Sequence, residues 1–168
     1  MKKVFSFISE LILDLFIGVL IAFLVTKFLI FPCSVVGTSM QPTLRDNDRG
    51  ISLAIKKYFK INRFDICVLQ TDTADKMIVK RVIGLPGEII EYKDNKLYIN
   101  GEYLEETFLG DVTTDDFTYH LADDEYYCLG DNRNVSKDSR YYGAFKKENF
   151  VSTAMFIIYP FDNFGVKK

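Results

Sequence analysis

Histidine is almost missing from this chain, since His120 is the single imidazole among 168 residues. Most metal sites and multi-histidine relays in proteins need more than one imidazole, so the count argues against both. A Ser-His-Asp triad could use only His120, which lies in the irregular acidic stretch "TYHLADDEYY" with no sign of an active-site turn. We therefore expect neither a bound metal nor a histidine base.

The chain also has few cysteines and a net charge close to zero. Cys33, Cys67 and Cys128 do not pair off evenly and form no C-x-x-C motif, so we expect buried or half-buried free thiols and no cofactor. The net charge is −2, and no basic stripe is present. Nucleic acid is therefore not an expected partner.

Tryptophan is absent, but aromatic residues make up 15% of the chain and hydrophobic residues 48%. A chain of this length is expected to form one domain beyond its N-terminal segment, with a β-rich core of Phe and Tyr. Short alternating runs recur from Gly50 onward, including "FDICVLQ", "KMIVKRVIGL", "EIIEYK", "KLYIN", "EYYCLGDN" and "FVSTAMFIIYPF". The polar segments "TDTADK", Asp94-Asn95 and Asn100-Gly101 indicate hairpin turns between them. These patterns predict a mainly β domain, with "LAIKKYFK" as a short helix or strand and residues 103–124 as a loop excursion.

One long apolar run lies near the N-terminus, from Leu11 to Phe31, and Asp14 and Lys27 are its only charged residues. About 20 residues suffice for a helix to cross a bilayer, and both charges lie near the ends, where they can reach the interface. Lys2 and Lys3 precede the run and favour a cytoplasmic N-terminus. We therefore predict a short cytoplasmic segment over residues 1–10, a transmembrane helix over 11–31 and an extracytoplasmic catalytic domain over 32–168, at the cell membrane.

Three other interpretations of the apolar run are weaker. A cleaved signal peptide needs small residues at its cleavage site, and "KFLIFPCSVV" has none in an A-x-A arrangement. A lipoprotein cysteine at Cys33 needs a small residue before it, but Pro32 is there. An amphipathic helix buried in a soluble core remains open, although the run is apolar on all sides.

The stretch "VVGTSMQPTL" places Ser39 in a stiff loop, because Pro42 fixes its own φ and restricts the residue before it. A serine hydroxyl needs an adjacent base to become a nucleophile, and a free backbone N–H at Ser39 could face an oxyanion. The G-x-S-x-G elbow fails at Gln41, and no S-x-x-K motif occurs. A Ser-Lys dyad is the remaining variant. Taken alone, the loop is also compatible with a simple tight turn.

Lys80 is the candidate base. In "MIVKRVIG" the period of a strand puts Ile78, Lys80 and Val82 on one face, where an ammonium is poorly solvated. Desolvation lowers a lysine pKa and favours the neutral amine, which can act as a general base. The alternative is a lysine whose stem covers apolar surface while its head reaches water.

The segment "LGDNRNVSKDSRYYG" combines carboxylates, guanidinium groups and small hydroxyls. Such a set suits a rigid hydrogen-bonded loop that supports a site, although a solvated loop can have the same composition. A serine such as Ser136 could orient the lysine amine. The other candidates in this segment are Asp131, Arg133, Asp138 and Arg140.

"SMQPTL", "KRVIGLPGE" and "GDNRNVSKDSRYYG" occur after one N-terminal anchor, in the order and approximate spacing of the bacterial type I signal peptidases. The ending "YPFDNFG" is also similar to that family, and the compact chain resembles its short Gram-positive branch. The resemblance implies a signal-peptidase-type antiparallel β domain and a membrane-anchored serine endopeptidase that removes signal peptides from exported preproteins.

The resemblance also implies roles for individual residues. Ser39 corresponds to the nucleophile, Lys80 to the general base and Ser136 to the residue that orients Lys80. The scaffold of the site corresponds to Asp131, Arg133, Asp138, Arg140 and Arg81. The pocket that selects small residues at −1 and −3 corresponds to Val35, Met40, Leu44, Ile78 and Val79.

Two positions depart from the family pattern. Gly37 stands where some members have a serine that assists the oxyanion hole, and Phe64 replaces the glycine of an R-G-D segment. The partners implied are signal peptides and the lipid bilayer, and the secretion translocon is a further candidate. Alternatives from other classes are an inactive homologue that binds preproteins or the translocon, a self-cleaving regulator, and an anchored β domain without chemistry.

Overall fold

The computed structural model describes residues 2–53, 60–71, 77–110 and 113–167. It begins with one long helix, α1 (Lys2–Phe28), which contains a candidate membrane span over Phe7–Phe28 with a mean hydropathy of 2.5. None of that span is buried against the rest of the chain. Because the span at Phe7–Phe28 is exposed along its length, the structure does not support the alternative of a buried core helix.

The bounds of α1 differ from the predicted span of residues 11–31. The helix begins before Leu11, because polar residues such as Lys and Glu are also compatible with a helix. Hydropathy predicts only which part of a helix is apolar enough to lie in lipid. At the other end, Ile30 and Phe31 leave the helix and pair with Leu53 and Ser52 in a sheet. Only Leu29 separates the helix from the first strand.

The rest of the described chain is mainly antiparallel β structure. Its strands are β1 (Ile30–Ser34), β2 (Arg49–Leu53), β3 (Ile66–Gln70), β4 (Met77–Gly84), β5 (Ile89–Lys93), β6 (Lys96–Ile99), β7 (Glu102–Leu104), β8 (Phe117–His120), β9 (Glu125–Leu129), β10 (Phe145–Lys146), β11 (Phe150–Tyr159) and β12 (Gly165–Lys167). A short helix, α2 (Ser139–Tyr142), and two 3₁₀ turns, Lys147–Asn149 and Phe161–Asn163, complete it.

The strands form two sheets. The larger has the order β1-β2-β11-β3-β4-β9-β10, with β12 also paired to β11, and the smaller has the order β7-β6-β5-β8. The predicted hairpins are confirmed, since β3 pairs with β4, β5 with β6, and β6 with β7. The turn "TDTADK" and the segment "LAIKKYFK" fall largely on residues 72–76 and 54–59, outside the described residues.

The prediction of a loop over residues 103–124 is wrong for residues 103–104 and 117–120, which are in strands. Leu104 still belongs to β7, and Phe117–His120 forms β8, which pairs with β5 from Ile89↔His120 to Tyr92↔Phe117. The β8 sequence is short and mixes polar with aromatic residues, so its strand character comes from the pairing and from packing. The ring of Phe117 stacks on Tyr92 with 5.1 Å between centroids.

The core consists of three clusters of buried hydrophobic residues. One joins the two sheets through Ile83, Ile90, Leu97 and Leu129. Burial of each such side chain contributes about 1.5–3 kcal/mol relative to exposure. A second cluster lies beneath the loop after β1 and consists of Val35, Met40, Leu44, Ile66, Val68, Met155 and Ile157. The third includes the buried free thiols Cys67 and Cys128, while Cys33 is half-buried, as predicted.

Candidate active site

The loop that carries Ser39 is fixed from below by its apolar residues. Val35, Met40 and Leu44 are 4%, 1% and 0% exposed, while Ser39 between them stays half-buried and faces a cleft. The Leu44 N–H donates to the Met40 carbonyl at 2.9 Å and closes a tight turn. The buried residues of this loop therefore anchor it to the core, and they hold Ser39 at the surface of the cleft.

The same loop is also held from the side by the segment after β9. The Asn132 N–H donates to the Ser39 carbonyl at 3.0 Å. A Cβ on Gly130 would lie 2.5 Å from that carbonyl oxygen and 2.2 Å from Ser136 Oγ, so a side chain at this position would push the two segments apart. Glycine at 130 is therefore required by close approach.

Lys80 reaches Ser39 from the middle of β4. Its Nζ lies 2.8 Å from Ser39 Oγ and 2.8 Å from the Val79 carbonyl oxygen, and the residue is 3% exposed. A neutral amine can donate one N–H to the Val79 carbonyl and still offer its lone pair to the Ser39 hydroxyl. The Val79 carbonyl can therefore orient the amine as well as bind it.

Burial lowers the pKa of Lys80 from 10.5 to about 8, because the ammonium loses its hydration. The negative charges of Asp138 and Asp131 oppose this by favouring the ammonium. With a pKa of about 8, an appreciable fraction of the amine is neutral near neutral pH. The predicted desolvation of Lys80 is thus present in the structure, together with a hydroxyl within its reach.

Ser136 does not make the predicted contact with Lys80. Its Oγ is buried against Gly130 and has no hydrogen bond of ordinary geometry with any described residue, while the Lys80 amine contacts Ser39 and Val79 instead. Ser136 acts on its other neighbour, since it is among the groups that lower the pKa of Asp138. In this structure the orienting contact is made by a backbone carbonyl.

Arg81 and Asp131 form a fully buried ion pair next to Lys80 in the chain, and both side chains are 0% exposed. The guanidinium donates to both carboxylate oxygens, at 2.8 Å from Nε and 2.7 Å from Nη2. Thr43 of the Ser39 loop donates its hydroxyl to Asp131 Oδ2 at 2.5 Å and accepts from Arg81 Nη2 at 3.2 Å. The ion pair therefore positions the loop as well as the strand.

Phe64, which replaces the family glycine, helps to enclose this ion pair. Its backbone has a φ of 69°, in the left-handed region that a bulky side chain rarely adopts. Its carbonyl accepts from Arg81 Nη1 at 2.9 Å, and its ring packs edge-on against Phe108 at 5.0 Å. Phe108 in turn covers the Arg81 guanidinium, 3.9 Å from the ring centroid. The aromatic pair shields the guanidinium from water.

The side chains of the two arginines of the segment "GDNRNVSKDSRYYG" bind partners other than Asp131. Arg140 pairs with Asp138, which also accepts from the Gly130 N–H at 3.1 Å. Burial raises the pKa of the Asp138 carboxyl, but hydrogen bonds from Arg140 and its positive charge outweigh this and lower it overall. Arg133 is buried and binds Glu106 at 2.5 Å, with the Tyr92 hydroxyl as a further partner.

Sequence reasoning missed four of these supporting residues: Thr43, Glu106, Phe108 and Tyr92. Thr43 could have been found, because it lies within "SMQPTL". The other three come from the smaller sheet and the segment after β7, which had been predicted as a loop. Nothing local in the sequence indicates that Glu106 reaches Arg133.

A cleft of about 530 Å³ opens at Ser39 and Lys80. Of the predicted pocket residues, Val35, Met40, Ile78 and Val79 line it. Leu44 does not, because its side chain is fully buried in the cluster beneath the loop. Exposed apolar residues that sequence reasoning had not named, Val36 and Val135, stand at the rim.

One wall of the cleft is an unpaired strand edge. The N-terminal part of β4, from Met77, pairs with β3, whereas β9 pairs with β4 only from Arg81 onward. Among the described residues, no strand pairs with the second edge of β4 at Met77–Val79. The opposite wall is the segment that follows β1, from Ser34 to Thr38. An extended peptide could therefore bind there as an added strand.

Gly37 supplies no side-chain donor to this cleft. Its φ is +92°, in the left-handed region that favours glycine, and its N–H donates to Asp46 Oδ1 at 2.7 Å. The Ser39 N–H, by contrast, donates to no acceptor in the part of the chain that the structure describes. This donor, which the sequence indicates as a candidate for the oxyanion, is therefore available next to the Ser39 hydroxyl.

Comparisons with known proteins agree with this geometry. The family model described as "Signal peptidase, peptidase S26" matches residues 8–159. The chain is 39% identical over 160 residues to signal peptidase I S of Bacillus subtilis strain 168, covering 87% of this chain and 86% of that protein. It is 33% identical over 177 residues to signal peptidase IB of Staphylococcus aureus strain COL, covering 94% and 92%.

A solved structure shares the fold. It is the crystal structure of a signal peptidase I from Enterococcus faecalis V583, with 37% sequence identity and a TM-score of 0.53. The match covers 56% of this chain and 97% of that chain.

Proposed function

The chain belongs to the signal peptidase family, peptidase S26, and from that premise we propose that it is a membrane-anchored serine endopeptidase that uses a Ser-Lys dyad to remove signal peptides from exported preproteins. The observation that carries the proposal is the 2.8 Å separation of Ser39 Oγ and Lys80 Nζ at the base of a cleft. Ser39 is the nucleophile, and neutral Lys80 is the general base.

The proposed reaction has two halves. Lys80 takes the hydroxyl proton as Ser39 Oγ attacks the scissile carbonyl, and the Ser39 N–H stabilises the oxyanion that forms. The ammonium of Lys80 then gives its proton to the leaving amine, which departs as the mature N-terminus. In the second half Lys80 deprotonates a water molecule that hydrolyses the acyl ester, and Ser39 regains its proton.

The walls of the cleft support a peptide substrate with small residues at −1 and −3. The free edge of β4 at Met77–Val79 offers backbone groups to an extended chain, and alternate side chains of such a chain point to the same side. Val35, Met40, Ile78 and Val79 would meet those side chains with a shallow apolar surface. Neither the cleft nor the dyad calls for a cofactor.

Helix α1 supports the anchored form of the proposal. Its candidate span of 22 residues matches the thickness of a bilayer core. We propose that it crosses the cell membrane once, with Lys2 and Lys3 on the cytoplasmic side and the catalytic domain on the outer face. The translocon is a candidate partner in that position.

An inactive homologue that only binds preproteins is the second candidate. It would have no need for a hydroxyl and a buried amine at hydrogen-bond distance, and burial of a lysine is unfavourable in the absence of a role. The geometry therefore favours the active enzyme.

Cleavage of a synthetic signal peptide tests the proposed function. Purified full-length protein in detergent, incubated with a peptide that contains one A-x-A site, should cut once, directly after the second alanine. Ser39→Ala is the matched control and should leave the peptide intact, because the nucleophile is gone. Mass spectrometry of the products identifies the bond. Cleavage at other bonds, or equal cleavage by Ser39→Ala, would contradict the proposal.

The pH dependence of cleavage tests Lys80 as the base. Because the neutral amine is the active form and its pKa is about 8, kcat/KM should rise about tenfold per pH unit below pH 8 and level off above it. The measurement is initial rate at low substrate concentration between pH 6 and 10, with a substrate that has no group titrating in that range. A profile that is flat through pH 8, or that falls as the pH rises, excludes the assignment.

A further inference from the structure

The charged residues that line the substrate cleft are all basic. Among the residues that line it, only Lys80 and Lys137 are basic, and none is acidic. Lys80 is buried, and its pKa is lowered by that burial. Lys137 is exposed and carries its charge at the rim, in the same opening that exposes Ser39. The rim therefore presents a positive charge to whatever enters the cleft.

Lys137 is held in place without being neutralised. Its Nζ lies 5.1 Å from the centroid of the Tyr141 ring, a cation–π distance, and Tyr141 is itself exposed. Within the described residues Lys137 forms no ion pair.

Three carboxylates of the loops around the cleft are engaged elsewhere, and Asp115, which lines a separate opening with Ser136 and Tyr141, forms no ion pair with Lys137. Asp138 binds Arg140 and the Gly130 N–H, and Asp131 binds Arg81. On the opposite wall, Asp46 accepts from the Gly37 N–H and from the Asn47 side chain. None of these groups forms an ion pair with Lys137, so its charge is available to a substrate.

We propose that Lys137 is a specificity-determining residue that favours preproteins with an acidic side chain close to the scissile bond. The inference rests on the proposed function, because it needs a peptide bound in this cleft. A pair of exposed opposite charges contributes a modest attraction, and we expect about a two- to fivefold preference in kcat/KM for an acidic over a basic side chain at the position that faces Lys137. High salt should reduce the preference.

A charge scan of the substrate tests this inference. The parent is a neutral peptide with one A-x-A site, and single Glu or Lys residues are placed in turn at each position from −5 to +3, leaving −1 and −3 unchanged. For every position, the ratio of kcat/KM for the Glu peptide to that for the Lys peptide is measured with the full-length enzyme in detergent. The wild type should show a ratio of about two to five at one or two adjacent positions.

Four variants separate the contribution of this side chain from other effects. The ratio at those positions should fall toward one in Lys137→Gln, fall below one in Lys137→Glu, and persist in Lys137→Arg. Lys93→Glu makes the same change of net charge on an exposed residue at the end of β5, away from the cleft, and should leave the ratio as in the wild type.

The outcomes distinguish the two proposals. If the neutral parent is not cut at all, the proposed function fails. If it is cut but the ratio is the same in the wild type and Lys137→Gln at every position, the inference about Lys137 is overturned while the proposed function stands. A change of the ratio in Lys93→Glu equal to that in Lys137→Glu would also overturn it, because net charge and not position would then be responsible.

Discussion

A Lys80→Met variant is expected to lose signal-peptide cleavage by at least about 10⁴-fold, as members of catalytic dyads and triads do when they are removed. Methionine has a similar length and fills the same buried space, but it cannot accept the proton of Ser39. The Ser39 hydroxyl then keeps its high pKa and remains unreactive. The loss should appear in kcat, because the walls of the cleft are unchanged.

The same variant should be more stable than the wild type at neutral pH. The folded pKa of about 8 lies below the unfolded value of 10.5, so the folded state disfavours the protonated lysine. That penalty is about 3 kcal/mol at pH 7 and disappears as the pH rises from 8 through 10.5. Loss of the hydrogen bond to the Val79 carbonyl costs about 1 kcal/mol, which leaves a net gain of about 2 kcal/mol at pH 7.

Two measurements on the full-length protein check this pair of effects. Cleavage is assayed with the A-x-A peptide, and the free energy of unfolding is obtained by denaturant titration in detergent at pH 7 and pH 10, followed by circular dichroism. Lys93→Met is the matched control, since it makes the same replacement at an exposed site. Normal cleavage by Lys80→Met would rule out the dyad. A stability gain as large at pH 10 as at pH 7 would mean that the buried charge is not its cause.

The second large effect is expected at the buried ion pair. Arg81→Met leaves Asp131 fully buried without its guanidinium, and breaking such a pair from one side costs about 3–5 kcal/mol. A double variant, Arg81→Met with Asp131→Leu, removes both charges and should recover most of that stability, because no buried charge is left unpaired. The measurement is again denaturant unfolding in detergent.

In the double variant, stability should recover but cleavage activity should not. Thr43 donates its hydroxyl to Asp131, so the double variant leaves the Ser39 loop without that anchor even when the fold is restored. We expect cleavage by the double variant to stay at least about tenfold below the wild type, as misplacement of a reacting group predicts. Full recovery of both properties would show that the ion pair acts only on folding. No recovery of stability would show that the cost of Arg81→Met is lost packing.

The 2.8 Å contact between Ser39 and Lys80 agrees with the resemblance to the signal peptidases, and each of the two residues also carries a local signal. Ser39 stands in a loop stiffened by Pro42, and the period of β4 puts Lys80 on the same face as apolar residues. The predicted hairpins have the same origin, in alternating residues and turn dipeptides. These features depend only on residues close together in the chain, so the sequence is sufficient to predict them.

The supporting contacts depend on partners far along the chain, and several of them could not be predicted. Arg133 binds Glu106, a residue of the segment that had been predicted as a loop. Ser136 could be recognised as part of the site, but the sequence does not reveal that the Lys80 amine contacts the Val79 carbonyl and not the Ser136 hydroxyl. Leu44 was assigned to the pocket because it belongs to the motif, yet the turn points it into the core.

The short junction between α1 and β1 has a mechanical consequence. A flexible linker gains reach with each added residue, but a single residue, Leu29, gives almost none. If α1 spans a bilayer, the sheet whose first strand leads into the Ser39 loop behaves as a stiff extension of the helix. A helix responds to a thinner or thicker membrane by changing its tilt, and that tilt is passed on to the height of the cleft above the lipid. The lipid composition of the membrane would then help to determine which peptide bonds of a substrate come within reach of Ser39.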